Sequence, residues 1–231
     1  MLDVSRREEK YSLHLSEALL LSNKLSQVLT PDENSKEGAY LVRTLYFDTI
    51  EDRDFFDKIN EQYLRRKIRI RCYSTDDKIV KLEMKQKQGV YQKKRSMYIT
   101  REDALRLIDG QYSVLLRYND DFAAELFSVM TKECYRPKSI IEYSRSAFVV
   151  AENNTRLTID SRIYATESSH DFFERNLQLY PILEQDRAIL EIKYNRFLLG
   201  YISYLLSCVN RKTVSYSKYT LSRSLGYPLY R

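Results

Sequence analysis

The sequence predicts an α+β chain whose antiparallel strands each carry a charged face and an apolar face, with a few helices packed on the apolar side. Two observations carry this. Gln62–Gln88 alternates at the two-residue period of a strand, with Arg65, Lys67, Arg69 and Arg71 on one side and Leu64, Ile68 and Ile70 mostly on the other. After a turn signal at Ser74–Asp77 the scheme resumes, Lys81, Glu83, Lys85 and Lys87 alternating with Leu82 and Met84. The second observation is that most other candidate strands divide ionic from apolar residues in the same way. A solvent-facing sheet backed by helices gives this pattern, and so does a barrel with a polar lumen.

In chain order, Ser5–Leu13 reads as a strand with Arg6, Glu8 and Lys10 on one face. Ser12 or Ser16 caps a helix running to about Leu29, with Leu15, Leu19, Leu25, Val28 and Leu29 as its apolar stripe and Pro31 as its stop. Asp32–Gly38 is a loop, and Tyr40–Asp48 a buried strand followed by a short helix through Phe55 and Phe56. The cationic strands continue to Ile99, the third offering Lys93 and Arg95 after Gly89. Thr100 with Asp103 starts a helix that Gly110 stops, and a further helix covers Asp120–Cys134. Three strands follow, Ser139–Ala151, Arg156–Ala165 and Arg187–Asn195, the last placing Glu191 and Lys193 opposite Leu190 and Ile192. Asp160 and Arg162 form a candidate structural pair. Arg196–Val209 reads as a helix apolar nearly all round, and a short segment containing Lys218 ends the chain.

The cationic row is the functional signal. At ~7 Å separation and an effective dielectric of ~20, neighbouring cations repel by roughly 2 kcal/mol, and solvent-facing strands ordinarily mix signs to avoid this. An anion lying over the row removes the repulsion. Lys and Arg number 38 against 32 Asp and Glu, so placement matters more than the net charge of +6. No GxGxxG, GxxxxGK or GxSxG occurs, and the only histidines are His14 and His170. Bound phosphate must therefore be held by side chains. The three cysteines form no CxxC pair, which fits a reducing cytoplasm, and neither an 18-residue apolar run nor a leader-like start is present. Without repeats or Pro/Gly-rich linkers, residues 1–231 read as one domain.

The residues also resemble a known family. Arg6-x-Glu8-x-Lys10-Tyr11, YFDT at Tyr46–Thr49, K-x-R-x-R-x-Y at Lys67–Tyr73, LEMK at Leu82–Lys85 and the basic Lys93–Arg95 follow its pattern. So do YSRSAF at Tyr143–Phe148, RLTID at Arg156–Asp160, LEIK at Leu190–Lys193 and SKY at Ser217–Tyr219. In this order they resemble the catalytic domain of VTC-type polyphosphate polymerases, within the triphosphate tunnel metalloenzyme (CYTH-like) superfamily. The resemblance implies an eight-stranded antiparallel tunnel with a basic lumen and helices outside. It implies polyphosphate synthesis from ATP with Mn²⁺ or Mg²⁺, in a stand-alone bacterial, cytoplasmic form. Phosphate-binding residues then fall on Lys10, Arg69, Arg71, Lys85, Arg145, Arg156 and Lys218, and the metal carboxylate on Glu191. After Gly89 either Lys93 or Lys94 fits; alternation favours Lys93 with Arg95. Lys67 and Lys193 join the substrate-binding set, Arg69, Arg71, Lys85 and Glu191 are the catalytic residues, and Glu8 is either a second metal ligand or the partner of Lys10. Glu83 orients its basic neighbours, and YFDT is structural.

Three other functions remain. Hydrolytic members of the superfamily often open with E-x-E-x-K where this chain has Arg6, which favours polymerase over triphosphatase or polyphosphatase. Glu191 together with the complete basic set argues against a non-catalytic polyphosphate or nucleotide sensor. Nucleic-acid binding lacks any RNP or helix-turn-helix signature.

Overall fold

Strand parity sets the architecture. The computed structural model describes residues 6–35, 37–89, 91–210 and 212–224. Eleven strands are paired among them: β1 (Arg6–His14), β2 (Thr30–Pro31), β3 (Tyr40–Asp48), β4 (Leu64–Cys72), β5 (Ile79–Gln88), β6 (Tyr91–Thr100), β7 (Arg136–Val150), β8 (Thr155–Thr166), β9 (Tyr180–Pro181), β10 (Arg187–Asn195) and β11 (Lys212–Thr213). The count differs from the eight expected because β2, β9 and β11 are two-residue strands. Six α-helices accompany them: α1 (Leu15–Val28), α2 (Arg53–Ile59), α3 (Arg101–Ile108), α4 (Asp121–Lys132), α5 (Gly200–Leu205) and α6 (Lys218–Arg223). The protein is thus an antiparallel α+β chain. No helix among the described residues is long and apolar enough to cross a membrane.

The chain divides into two compact units. The first contains the described residues up to Leu41 together with Glu142–Tyr164 and Pro181–Tyr216. Its strands run in the order β11-β1-β10-β8-β7. Alternate residues Tyr11 and Leu13, Leu190 and Ile192, and Leu157 and Ile159 are buried with Ala18, Leu21 and Leu25 of α1 and Ile202 of α5. The helix starts after His14, whose backbone N–H donates to Glu17 Oε2 at 2.8 Å, and neither Ser12 nor Ser16 is its cap. The stripe of α1 is also rotated from the expected one. Leu19 and Val28 are exposed, because Leu21 and Leu25 face the strands. The helix expected at Arg196 begins only at Gly200, since Arg196 adopts a φ of 60° that no helix continues. Its aromatic residues Tyr201 and Tyr204 are exposed rather than packed.

The second unit contains Val42–Ile141, Ala165–Tyr180 and the described residues from Ser217. Here β3-β4-β5-β6 pair in sequence. Ile68, Ile70, Leu82, Met84 and Ile99 are buried against Ala104 and Leu107 of α3 and Ala123, Leu126 and Met130 of α4. The Thr100 hydroxyl accepts from the Asp103 N–H at 3.1 Å and caps α3; Asp120 caps α4. The helix α4 ends at Lys132 and Cys134, with a φ of 51°, turns the chain out of it, so Pro137 lies inside β7 and not at the helix end.

Candidate functional site

In the second unit, burial of Ile68 and Ile70 forces Lys67, Arg69 and Arg71 of β4 onto the opposite face. Register then places Glu83 of β5 across from Arg69, and Lys85 between Lys67 of β4 and Lys94 of β6. Glu83 is the acid that organises this face. Its side chain is only 2% exposed; Arg69 Nε donates to its Oε2 at 2.8 Å, Arg71 Nη1 lies 3.7 Å from the same oxygen, and the Lys94 ammonium contacts its Oε1. Burial alone would raise the Glu83 carboxyl, but these three cations hold it well below the usual carboxylate range. Burial in turn pushes Lys94 down against the attraction of Glu83.

The Tyr46 hydroxyl accepts from Arg69 Nη1 at 3.0 Å, and the Thr44 hydroxyl from Arg71 Nε at 3.4 Å. Burial would raise the Tyr46 phenol, yet Arg69 and Arg71 bring it below its ordinary value, with Lys218 adding to the effect. The start of α6 joins the same face. Lys67 Nζ donates to Ser217 Oγ at 2.7 Å, and Ser217 also caps α6 by accepting from Thr220 N–H. Lys218 is therefore the first residue of a helix held by Tyr219, which stacks on Tyr46 at 4.9 Å and donates to Asp48 Oδ2 at 2.6 Å. Asp48 accepts further from the backbone N–H groups of Thr49, Asp54 and Phe55. YFDT is thus structural in its contacts and seats a basic segment.

Two expected members of this face lie elsewhere. Gln88 pairs with Tyr91 across the turn that begins at Gly89, whose φ is 56°, so Lys94 falls opposite Lys85. Lys93 and Arg95 consequently occupy the helix-covered side. Arg95 forms a double ion pair with Glu125 of α4 and lies 4.8 Å over the Phe122 ring. Lys94 replaces both. The register follows from the two-residue length of the turn, which alternation counted from one side cannot supply.

In the first unit the ionic face is a two-sign ladder. Lys10 of β1 is paired with Glu191 of β10 and then Thr158 of β8; Glu8 with Lys193 and then Arg156. Lys10 Nζ lies 3.1 Å from Glu8 and 3.7 Å from Glu191, and donates to the Tyr216 carbonyl at 3.0 Å. Lys193 lies 3.9 Å from Glu8 and closer still to Glu191. Glu8 is thus a partner of Lys10, and both carboxylates converge on the same two ammonium groups. Arg145 donates to both oxygens of the fully buried Asp160, at 2.6 and 2.7 Å. Asp160 therefore pairs with Arg145 and not with Arg162, whose φ of 51° interrupts the strand alternation. Burial would lower the Arg145 guanidinium, but Asp160 holds it well above its ordinary value. Arg156 Nη2 donates to Asp32 Oδ2 at 2.6 Å.

Sequence reasoning left Lys94 as the alternative to Lys93, and missed Tyr46, Thr44, Tyr219 and Asp32 as parts of these faces. Thr158 Oγ1 is buried without a hydrogen-bond partner across from Glu191. Tyr46 was legible from its place opposite Arg69 once β3 is paired with β4. No group of three His, Cys, Asp or Glu side chains is gathered among the described residues as a self-sufficient metal cage.

The sequence profile of the VTC domain matches residues 5–227. A search of curated proteins returns no match. The fold is similar to that of a Bacillus halodurans protein described as a candidate adenylate cyclase, with 12% identity, 93% of this chain and 94% of that chain covered, and a TM-score of 0.53. A protein of Pyrococcus horikoshii is also similar, at 12% identity over 93% of this chain and 97% of that chain, with a TM-score of 0.45. With the profile spanning nearly its whole length, the chain belongs to the VTC domain family.

Proposed function

We propose that the chain makes inorganic polyphosphate from ATP. The observation that carries the reading is the face on which Arg69, Arg71 and Lys94 gather round one buried carboxylate, Glu83, with Lys67 and Lys85 paired beside them. In this reading residues 1–231 are one functional domain, an eight-stranded tunnel with a basic lumen, as family membership implies. A terminal phosphate oxygen of the growing chain attacks the γ-phosphorus of ATP, the bond to the β–γ bridging oxygen breaks, and ADP leaves with that electron pair. Such a transfer asks for charge neutralisation and alignment, not for a protein nucleophile. Arg69 and Arg71 offer planar forks already oriented by Glu83, Tyr46 and Thr44, and Lys85 and Lys94 offer mobile charges. Lys10, Lys67, Arg145, Arg156, Lys193 and Lys218 hold the remaining phosphates. Lys94 takes the role expected of Lys93 and Arg95.

Glu8 and Glu191 are hard oxygen donors, and the unpartnered hydroxyl of Thr158 lies across from Glu191. Two carboxylates suit Mg²⁺ or Mn²⁺ when substrate phosphates complete the shell. Bound there, the ion supplies charge neutralisation at the phosphate oxygens. Lys10 and Lys193 contact both carboxylates and hold them in place. A cytoplasmic setting accords with the free thiols of Cys72, Cys134 and Cys208.

The experiment is incubation with ATP and Mn²⁺, resolving ADP, phosphate and polyphosphate. ADP with chain-length polymer is expected; free phosphate without polymer would favour a triphosphatase, and binding without turnover a sensor. Glu191→Gln should reduce turnover at least about a hundredfold while tripolyphosphate binding changes by less than about threefold. Polyphosphate should displace any bound RNA.

A further inference from the structure

We propose a second anion subsite at the ends of β4, β5 and β6, taking the part of a phosphate chain that extends past the cationic face. A cleft of about 400 Å³ opens there, lined by Arg65, Lys87 and Lys93 with Gln86, Gln92 and Tyr91. Arg65 and Lys87 lie at the ends of the rows of Arg69–Lys67 and Glu83–Lys85, so the cleft begins where the cationic face stops and reaches round the strand ends to Gln86 and Lys93 on the helix-covered side. Arg65 and Lys87 also stand directly across from each other in register. Like charges in that position are destabilising, and neither makes an ion pair with a described residue. Arg65 Nε is buried with no hydrogen-bond partner. The acids of the opposite wall are already engaged. Glu133 accepts from Arg66 at 3.1 Å and from Arg53 at 3.4 Å, Asp57 lies 3.9 Å from Arg53, and Asp54 accepts from the Tyr135 hydroxyl at 2.9 Å. The uncompensated charge of the cleft is therefore positive, with glutamine amides as further donors.

This subsite rests on the polyanion reading and refines it by ligand length. Arg65 lies four residues along the strand from Arg69, about 14 Å. A triphosphate on Arg69 and Arg71 ends short of Arg65, whereas a longer linear phosphate chain continues past Lys67 into the cleft. Length selection is thus built into one strand.

The test compares tripolyphosphate with long-chain polyphosphate by titration calorimetry on the full chain and on the double variant Arg65→Gln/Lys87→Gln. Long-chain affinity should fall about tenfold, tripolyphosphate affinity should stay within about twofold, and the melting temperature should hold or rise as the facing charges are removed. Equal effects on both lengths, or none on either, overturn the subsite while leaving the functional reading in place. A wild-type chain that binds neither ligand overturns the functional reading, and the subsite with it.

Discussion

Replacing Glu83 by Gln tests how the cationic face is held together. The carboxylate is 2% exposed and touches Arg69, Arg71 and Lys94, so the substitution leaves three cations around a neutral amide. Breaking one side of a buried ion pair typically costs 3–5 kcal/mol. Because the amide oxygen still accepts from Arg69, we take the lower end, about 3 kcal/mol. For a chain of this size that corresponds to a fall in Tm of about 6–12 °C, measured by thermal unfolding in phosphate-free buffer. Tripolyphosphate should then raise the Tm of Glu83→Gln more than that of the wild type, since the anion supplies the missing countercharge. The pH dependence has a fixed sign. The folded carboxyl lies below its ordinary value of 4.5, so its contribution is present above that value and lost as pH falls through the lower folded value. Glu83→Gln should lack this acid-side loss. A fall of less than about 2 °C with unchanged acid sensitivity would refute the idea that Glu83 restrains repelling cations.

Lys94→Gln should weaken tripolyphosphate binding about tenfold by calorimetry, whereas Lys93→Gln on the opposite face should leave it within about twofold; the reverse order would return Lys93 to the face. Asp54 is buried beside Asp48 and accepts from Tyr135 at 2.9 Å; burial first and Asp48 second push its carboxyl up to about 8. Its stabilising contribution is therefore complete below the unfolded value of 3.8 and lost as pH rises to about 8, so Asp54→Asn should flatten the decline in urea stability between those limits. Parallel pH profiles for the two proteins would contradict that assignment.

How far these faces were legible depends on whether the signal was local. Arg69 and Arg71 needed only the two-residue period against Ile68 and Ile70, and Glu83 only its place in the next strand. The pairing of Lys10 with Glu191 joins residues far apart in the chain, and neither strand alone specifies the other. Lys93 was misplaced for a smaller reason. Both sides of β6 carry cations, so hydrophobicity does not phase that strand at its start; only the buried Ile99 and the two-residue turn do. The stripe of α1 failed similarly, since Leu19, Leu20 and Leu21 are consecutive and any phase finds leucines. Arg162 and Arg196 adopt positive φ without being glycine, so no composition cue announced the irregular backbone at either position.

Each unit uses the same device at a different strength. In one, Asp160 is fully buried and accepts from Arg145 through both oxygens, which fixes that guanidinium in orientation while neutralising it locally. In the other, Glu83 is shared among Arg69, Arg71 and Lys94, so orientation is retained while net positive charge survives. A fully paired face would bind anions weakly, because each cation would have to leave its partner. A face with no acid would bind them tightly only after paying to order long, repelling side chains. Sharing one buried carboxylate among several cations lies between these limits. It lowers the ordering cost and leaves the residual repulsion to be relieved by the incoming phosphate, so anion binding and the stability of that unit must rise together.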